Sequence, residues 1–238
     1  NGDIVVGGGL HSQSMDADPG LGVATLNASG LSDAYIVVLD QDGAYRWAYQ
    51  YGTAGEESIK GVATDASGNI YVNAGISGSV DLDPGAGEEL FAAVGSYDLV
   101  IVSFDSDGNY RWSESYGDAS AQSGWGMTVN GQDELVVSGL FEGSLTLPAG
   151  SSVSAPTSIG TGQDHFVLWL NTANGQALKV TSLGTTSNDA EKIAVWDFGP
   201  NGLLVAGWLA GGGDVDFSPD SSGSIIAVPS GGTSYVRR

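Results

Sequence analysis

Short apolar runs rich in β-branched residues alternate with glycine-bearing polar turns along the whole chain, and no long stretch has amphipathic-helix spacing. The runs Tyr35 to Leu39 and Leu99 to Phe104 are too short for helices and almost continuously apolar, which predicts central strands buried on both faces. Each leads into a hairpin signal, Asp42-Gly43 or Asp107-Gly108, because these residues tolerate positive φ. A strand carrying Trp47 or Trp112 follows, then a polar stretch (Thr53 to Ser58, Asp118 to Ser123). The pattern next predicts a strand at Ile59 to Thr64, a turn at Asp65 to Gly68, a strand at Asn69 to Asn73 and a further strand at Leu90 to Val94.

These elements recur. Asp33 to Asp40, Gly43, Trp47 and Gly52 reappear as Asp98 to Asp105, Gly108, Trp112 and Gly117, and more loosely as Asp164 to Asn171, Gly175 and Gly184. Ser234-Tyr235-Val236 opens a fourth copy. A second half-motif ends at Gly9, Gly75, Gly139 and Gly207, and both keep a period of about 66 residues. Four strands per period, or five where the Asp-Pro-Gly segment adds one, predict an all-β fold of antiparallel β-propeller blades, as a partial or small ring. The whole chain, 1–238, reads as a single repeat domain with a partial copy at 1–32, copies at 33–97, 98–163 and 164–232, and a truncated one at 233–238. A β-solenoid is the alternative, but its repeats are usually much shorter.

The residues Asp33-Ala34-Tyr35-Ile36-Val37-Val38-Leu39-Asp40, Gly43, Trp47, Gly52, Gly61 to Asp65 and Gly68-Asn69-Ile70-Tyr71-Val72 resemble the bacterial β-propeller repeat family known as SBBP. The resemblance covers nearly the whole chain and is strongest over 33–75. The Val-Asp-x-Asp-Pro-Gly insertion departs from the family pattern, as does the turn Asn171 to Gly175. The resemblance implies export and a propeller, commonly seven-bladed, and brings no catalytic motif. The chain opens at Asn1-Gly2-Asp3-Ile4 without an initiator Met or a signal peptide. Roughly 3.6 repeats are therefore expected to be a portion of a longer chain or larger assembly.

Composition narrows the partners. There are 28 acidic residues against 7 Lys+Arg, a formal net charge of −21. Such a surface repels nucleic-acid backbones and anionic membranes. No apolar run approaches the ~20 residues that span a bilayer, so membrane insertion is not expected. Together with the family resemblance, this points to a secreted, cell-surface or periplasmic protein. Cysteine is absent, which removes disulfides, thiolate nucleophiles and Cys-based metal sites.

Candidate chemistry is sparse. The pairs Asp16/Asp18, Asp81/Asp83 and Asp214/Asp216 place two carboxylates two residues apart, on one face if the strand is extended. Hard cations such as Ca²⁺ take such oxygens; the competing reading is an Asp-capped Asp-Pro-Gly turn. Asp40 to Gly43 and Asp105 to Gly108 lack the remaining ligands of a calcium loop and read as hairpin turns. The two histidines, His11 and His165, occupy non-equivalent places, and no hydrolase motif appears. Trp47 and Trp112 repeat and suit packing between blades, whereas Trp125, Trp169, Trp196 and Trp208 break the period. Trp125, Trp196 and Trp208 are taken as candidate binding residues, with core filling as the competing role. The expected function is a non-catalytic extracellular scaffold or binding module for protein or glycan partners. The alternatives are a secreted hydrolase or lyase with an acidic central-channel site, and a calcium-dependent adhesion protein.

Overall fold

A computed structural model describes residues 2–11, 13–159 and 162–184, together with the backbone of 194–197, 203–209, 213–216, 225–228 and 233–237. Every regular element among the described residues is a strand, and none of them forms a helix long and apolar enough to cross a membrane. The chain divides into two compact units, Asn1–Ser115 and Tyr116–Arg238.

In the first unit, β1 (Ile4–Leu10) is followed by a small ribbon, β2 (Ser14–Asp16) with β3 (Thr25–Asn27), and then by β4 (Asp33–Leu39) and β5 (Tyr45–Tyr51). The chain continues through β6 (Ser58–Thr64), β7 (Ile70–Ile76), a second ribbon of β8 (Ser79–Asp81) and β9 (Leu90–Ala92), β10 (Asp98–Phe104) and β11 (Tyr110–Tyr116). Two sheets result, in the orders β1-β4-β5 and β11-β10-β7-β6. In the second unit, β12 (Gln122–Val129), β13 (Glu134–Phe141), β14 (Asp164–Asn171) and β15 (Ala177–Leu183) form a four-stranded sheet in chain order. Next come β16 (Ala194–Asp197), β17 (Leu203–Leu209), β18 (Gly213–Asp216), β19 (Ile225–Val228) and β20 (Thr233–Arg237). They form the sheet β16-β17-β20 and the ribbon β18-β19.

The sheets are out of phase with the sequence repeat by two strands. The copy beginning at Asp33 supplies β4 and β5 to one sheet and β6 and β7 to the next, so each copy ties two sheets together covalently. The central strands β7 and β10 are buried along their whole length, as their mostly apolar sequences predict, with Asn73, Asp98 and Ser103 buried among the apolar residues. Ile36, Val38, Trp47 and Tyr51 of the first sheet meet Ile70, Val72, Val100, Val102 and Phe104 of the second in one core. The second ribbon adds Val80 and Leu82 to this core, with Phe91 packed against it, and the Tyr51 hydroxyl donates to the Leu82 carbonyl at 3.1 Å. The Asp-Pro-Gly insertion is thus a strap across two sheets.

One carboxylate or amide sets each hairpin. Asp40 Oδ1 accepts the N–H groups of Asp42 and Ala44, both at 2.9 Å, while Gly43 takes φ +83°. Asp65 with Gly68 and Asp105 with Gly108 repeat the arrangement, and Asn130 and Asn171 do the same work in the second unit. At the Asn130 turn a non-glycine residue, Asp133, takes the positive φ.

The pairing corrects the alignment of the second half-motif. Gly9 and Gly75 lie opposite Ala34 and Leu99, one residue after the repeated Asp, but Gly139 lies opposite Phe166 and Gly207 opposite Tyr235, one place further on. Gly139 and Gly207 are therefore equivalent to Gly8 and Ala74. Glycine runs such as Gly7 to Gly9 fit either frame by sequence, and only the register decides. In this frame Gly7, Asn73 and Ser138 share one position. Among the described residues the fully buried Asn73 amide has no hydrogen-bond partner, and nothing in the sheet explains it.

Candidate functional site

The paired aspartates do not form a two-carboxylate strand face in the first two ribbons. Asp16 ends β2 and Asp18 lies in the turn beyond it; Asp81 and Asp83 are placed alike around β8. Asp16 Oδ1 accepts the N–H groups of Asp18 (3.0 Å) and Ala24 (2.9 Å), and Asp18 Oδ1 accepts that of Gly20 (2.7 Å). Asp81 and Asp83 repeat this with Asp83, Glu89 and Gly85. The N–H of Ala24, and then that of Asp18, hold the Asp16 carboxyl below its ordinary value. One oxygen of each aspartate is thereby committed to shaping the turn. No three His, Cys, Asp or Glu side chains gather in metal-binding fashion among the described residues. Asp214 and Asp216 lie on β18 opposite Ala227 and Ile225, and their side chains fall outside the described residues.

Trp125 has a distinctive position. The pairing of β12 with β13 slips by one residue between Gly124 and Gly126, so Trp125 occupies a β-bulge. The pairing of β6 with β7 slips at the same place, between Ile59 and Gly61, and puts Lys60 in the bulge. A bulge leaves one residue out of the ladder and re-aims its side chain. The scaffold therefore repeats the bulge while its occupant changes from a cation to a half-buried indole. Trp196, opposite Leu204 on β16, and Trp208, opposite Ser234 on β17, are placed by backbone only.

The structure also shows two networks that the motifs did not reveal. Glu57 is fully buried and accepts from Thr53 N (2.7 Å), Thr53 Oγ1 (2.6 Å) and Ser77 Oγ (2.7 Å). At the equivalent place in the second unit Gln122 is buried and donates to Asp118 (2.9 Å) and to the Glu142 carbonyl (3.1 Å). Acid and donor have exchanged places, which hides the equivalence in a residue-by-residue alignment. The second network runs from Arg111 Nη1 to the Tyr71 hydroxyl (3.2 Å) and from that hydroxyl to Asp65 Oδ2 (2.8 Å). Burial pushes Tyr71 up to about 12. Partial burial opposes ionisation of Asp65, but bonds from the Asn69 side chain, Tyr71, and the Asn69 and Ser67 N–H groups outweigh it and hold the carboxyl low.

Asp65, Thr64 and Gly68 line a cleft of about 170 Å³ with Gly2, Asp3, Val5 and Ile70. That is well below the ~300 Å³ at which small-molecule pockets begin. Arg46 at the same end is engaged by Asp3 and, at 3.0 Å, by Asp107.

Because the folded pKa of Asp65 is depressed, its stabilising contribution is present above the unfolded value near pH 4 and is lost as pH falls through the lower folded value. Asp65→Asn is thus expected to be less stable than wild type at pH 7, with the gap closing below about pH 4. Urea midpoints across pH check this, and a gap that stays constant to about pH 2 would show the ionised form is not what matters.

What the fold and site define is an all-β chain of several small antiparallel sheets. No family model matches the chain, and no curated protein matches it. Among solved structures it is similar to a protein of unknown function from Bacteroides caccae, with 13% identity and a TM-score of 0.24, over 82% of this chain and 86% of that one. A likeness at that level carries nothing further about fold or role.

Proposed function

We propose that the sheets are blades of an SBBP-type β-propeller and that the chain serves as a non-catalytic extracellular scaffold or binding module for protein or glycan partners. The blade reading is supported by meandering four-stranded sheets, by the face-to-face core of the first unit and by the constancy of the Asx turns. The binding reading rests on one observation, the conserved bulge geometry that holds Lys60 in one sheet and Trp125 in another. A scaffold that keeps the backbone device and varies its side chain suits recognition, and an indole offers a flat surface to a sugar ring or an apolar side chain.

The test is an array printed with glycans and extracellular proteins, probed with labelled wild type and Trp125→Ala. The expected result is a defined set of ligands for wild type and at least about tenfold weaker binding by the variant, at a temperature where both are fully folded. Equal binding by the two would remove Trp125 from the site. Turnover of an arrayed substrate would replace the binding reading with the enzymatic one.

A further inference from the structure

Three of the hairpin turns close on a paired side chain at their far end. The Asn69 amide donates to Asp65 Oδ2 at 2.7 Å, and the Asn109 amide to Asp105 Oδ2 at 2.8 Å. In the turn between β12 and β13 the roles are exchanged, and the Asn130 amide donates to Glu134 Oε2 at 2.8 Å. Each pair joins one acid and one amide. The exchange places an asparagine directly before Gly131, which is exposed and whose N–H makes no hydrogen bond among the described residues. Asn130 Oδ1 accepts the N–H groups of Gln132 (3.0 Å) and Glu134 (2.9 Å). These bonds fold the amide back toward the Gly131 nitrogen and polarise its carbonyl.

We propose that Asn130-Gly131 is a self-modification site, at which the Gly131 nitrogen attacks the Asn130 side-chain amide and converts the residue to an acid. The turn holds nucleophile and electrophile together, and the two N–H groups on Oδ1 stabilise the oxyanion that forms at Cγ. The Gly131 N–H proton passes to solvent base as the N–Cγ bond forms. The Cγ–Nδ2 bond then breaks, and Nδ2 takes a proton from water and leaves as ammonia. Water opens the cyclic imide at either carbonyl, giving aspartate or its β-linked isomer, isoaspartate. No other reactant is required. The pair Asn174-Gly175 supplies the contrast. Gly175 is buried and donates its N–H to the Asn171 carbonyl at 2.8 Å, so its nitrogen is withheld from Asn174. Aspartate at position 130 suits the turn as Asp65 and Asp105 suit theirs, but it sets a second carboxylate against Glu134 where those turns have an amide. The site depends on neither the propeller nor the binding reading.

The experiment incubates the full chain, folded and in urea, in mildly alkaline buffer at body temperature, and follows both sites by peptide mapping with mass spectrometry. In the folded chain Asn130 is expected to convert at least about tenfold faster than Asn174, to both aspartate and isoaspartate. In urea the two sites are expected to convert at similar rates. Gly131→Ala fits the turn, because Gly131 does not take positive φ, and is expected to slow conversion of Asn130 at least about tenfold. Asn130→Asp is expected to unfold at lower urea than wild type, and Glu134→Asn in that background to restore the midpoint. An Asn130 that stays an amide in the folded chain while the unfolded chain converts overturns the proposal. So does equal conversion of Asn174 in the folded chain. Conversion of Gly131→Ala at the wild-type rate overturns it in favour of direct hydrolysis, and an Asn130→Asp midpoint equal to wild type overturns the conflict with Glu134.

Discussion

Replacing Asp33 by alanine is expected to cost about 3 kcal/mol, and Gly52→Ala a similar amount, but the two together less than their sum. Asp33 is fully buried at the start of β4, and both of its oxygens accept the Ser29 N–H, at 3.1 and 2.9 Å. Oδ2 also accepts from Gln50 Nε2 at 2.5 Å. Truncation would remove the charged acceptor of the Ser29 N–H and the Gln50 amide and leave a gap at a buried position, and hydrogen bonds to a charged group are worth ~1.5–3 kcal/mol. The carboxylate fills the space beside Gly52, where a Cβ would stand 1.9 Å from Oδ2. An alanine there must displace the carboxylate and break the same bonds. In the Asp33→Ala background that obstacle is gone, so the second substitution adds little. Urea unfolding of the two single variants and the double variant measures the coupling, and strict additivity would sink the account. The same cycle is available in the second unit, where Asp164 accepts the Ile159 N–H at 2.6 Å and a Cβ on Gly184 would fall 2.0 Å from the Asp164 Cγ.

This pair shows what was legible in the sequence and what was not. That Asp33, Asp98 and Asp164 recur with Gly52, Gly117 and Gly184 is visible by eye. That the aspartate anchors the chain returning from the ribbon, and that glycine is needed to make room for it, requires the third dimension. The hairpins were readable because Asp-x-x-Gly encodes its own geometry locally, through a side-chain oxygen two residues from the N–H it accepts. The bulges at Lys60 and Trp125 were not, because a bulge is a property of two strands and Gly61 and Gly126 leave only a faint signal. Trp125 was singled out for breaking the period, and the structure adds that its backbone keeps the period while its side chain does not. Spacing alone cannot separate a strand face from a turn at the Asp16/Asp18 and Asp81/Asp83 pairs. One oxygen of each aspartate sits on the backbone N–H two residues on.

The same distinction sets the expected cost of losing each tryptophan. Trp47 is 9% exposed, with its ring 5.1 Å from Tyr49 and 5.7 Å from Phe104, so it joins the two sheets of the first unit. Its Nε1 reaches the Ser106 carbonyl at 3.4 Å. Gly108, at φ +87°, lies so near the ring that a Cβ would fall 2.9 Å from it, which fixes the indole between the second sheet's hairpin and its own strand. Trp47→Ala removes this body from a core too tightly linked to collapse around the gap, and a loss of about 4 kcal/mol is expected. Trp47→Phe keeps most of the apolar area, forfeits the long hydrogen bond and is expected to lose about half as much. Trp125→Ala, at a half-buried bulge, is expected to lose under about 2 kcal/mol. Urea midpoints for the three variants, read with far-ultraviolet circular dichroism, give the comparison. If Trp125→Ala proved as costly as Trp47→Ala, the bulge indole would be a structural pillar, and a binding role for it would lose its physical basis.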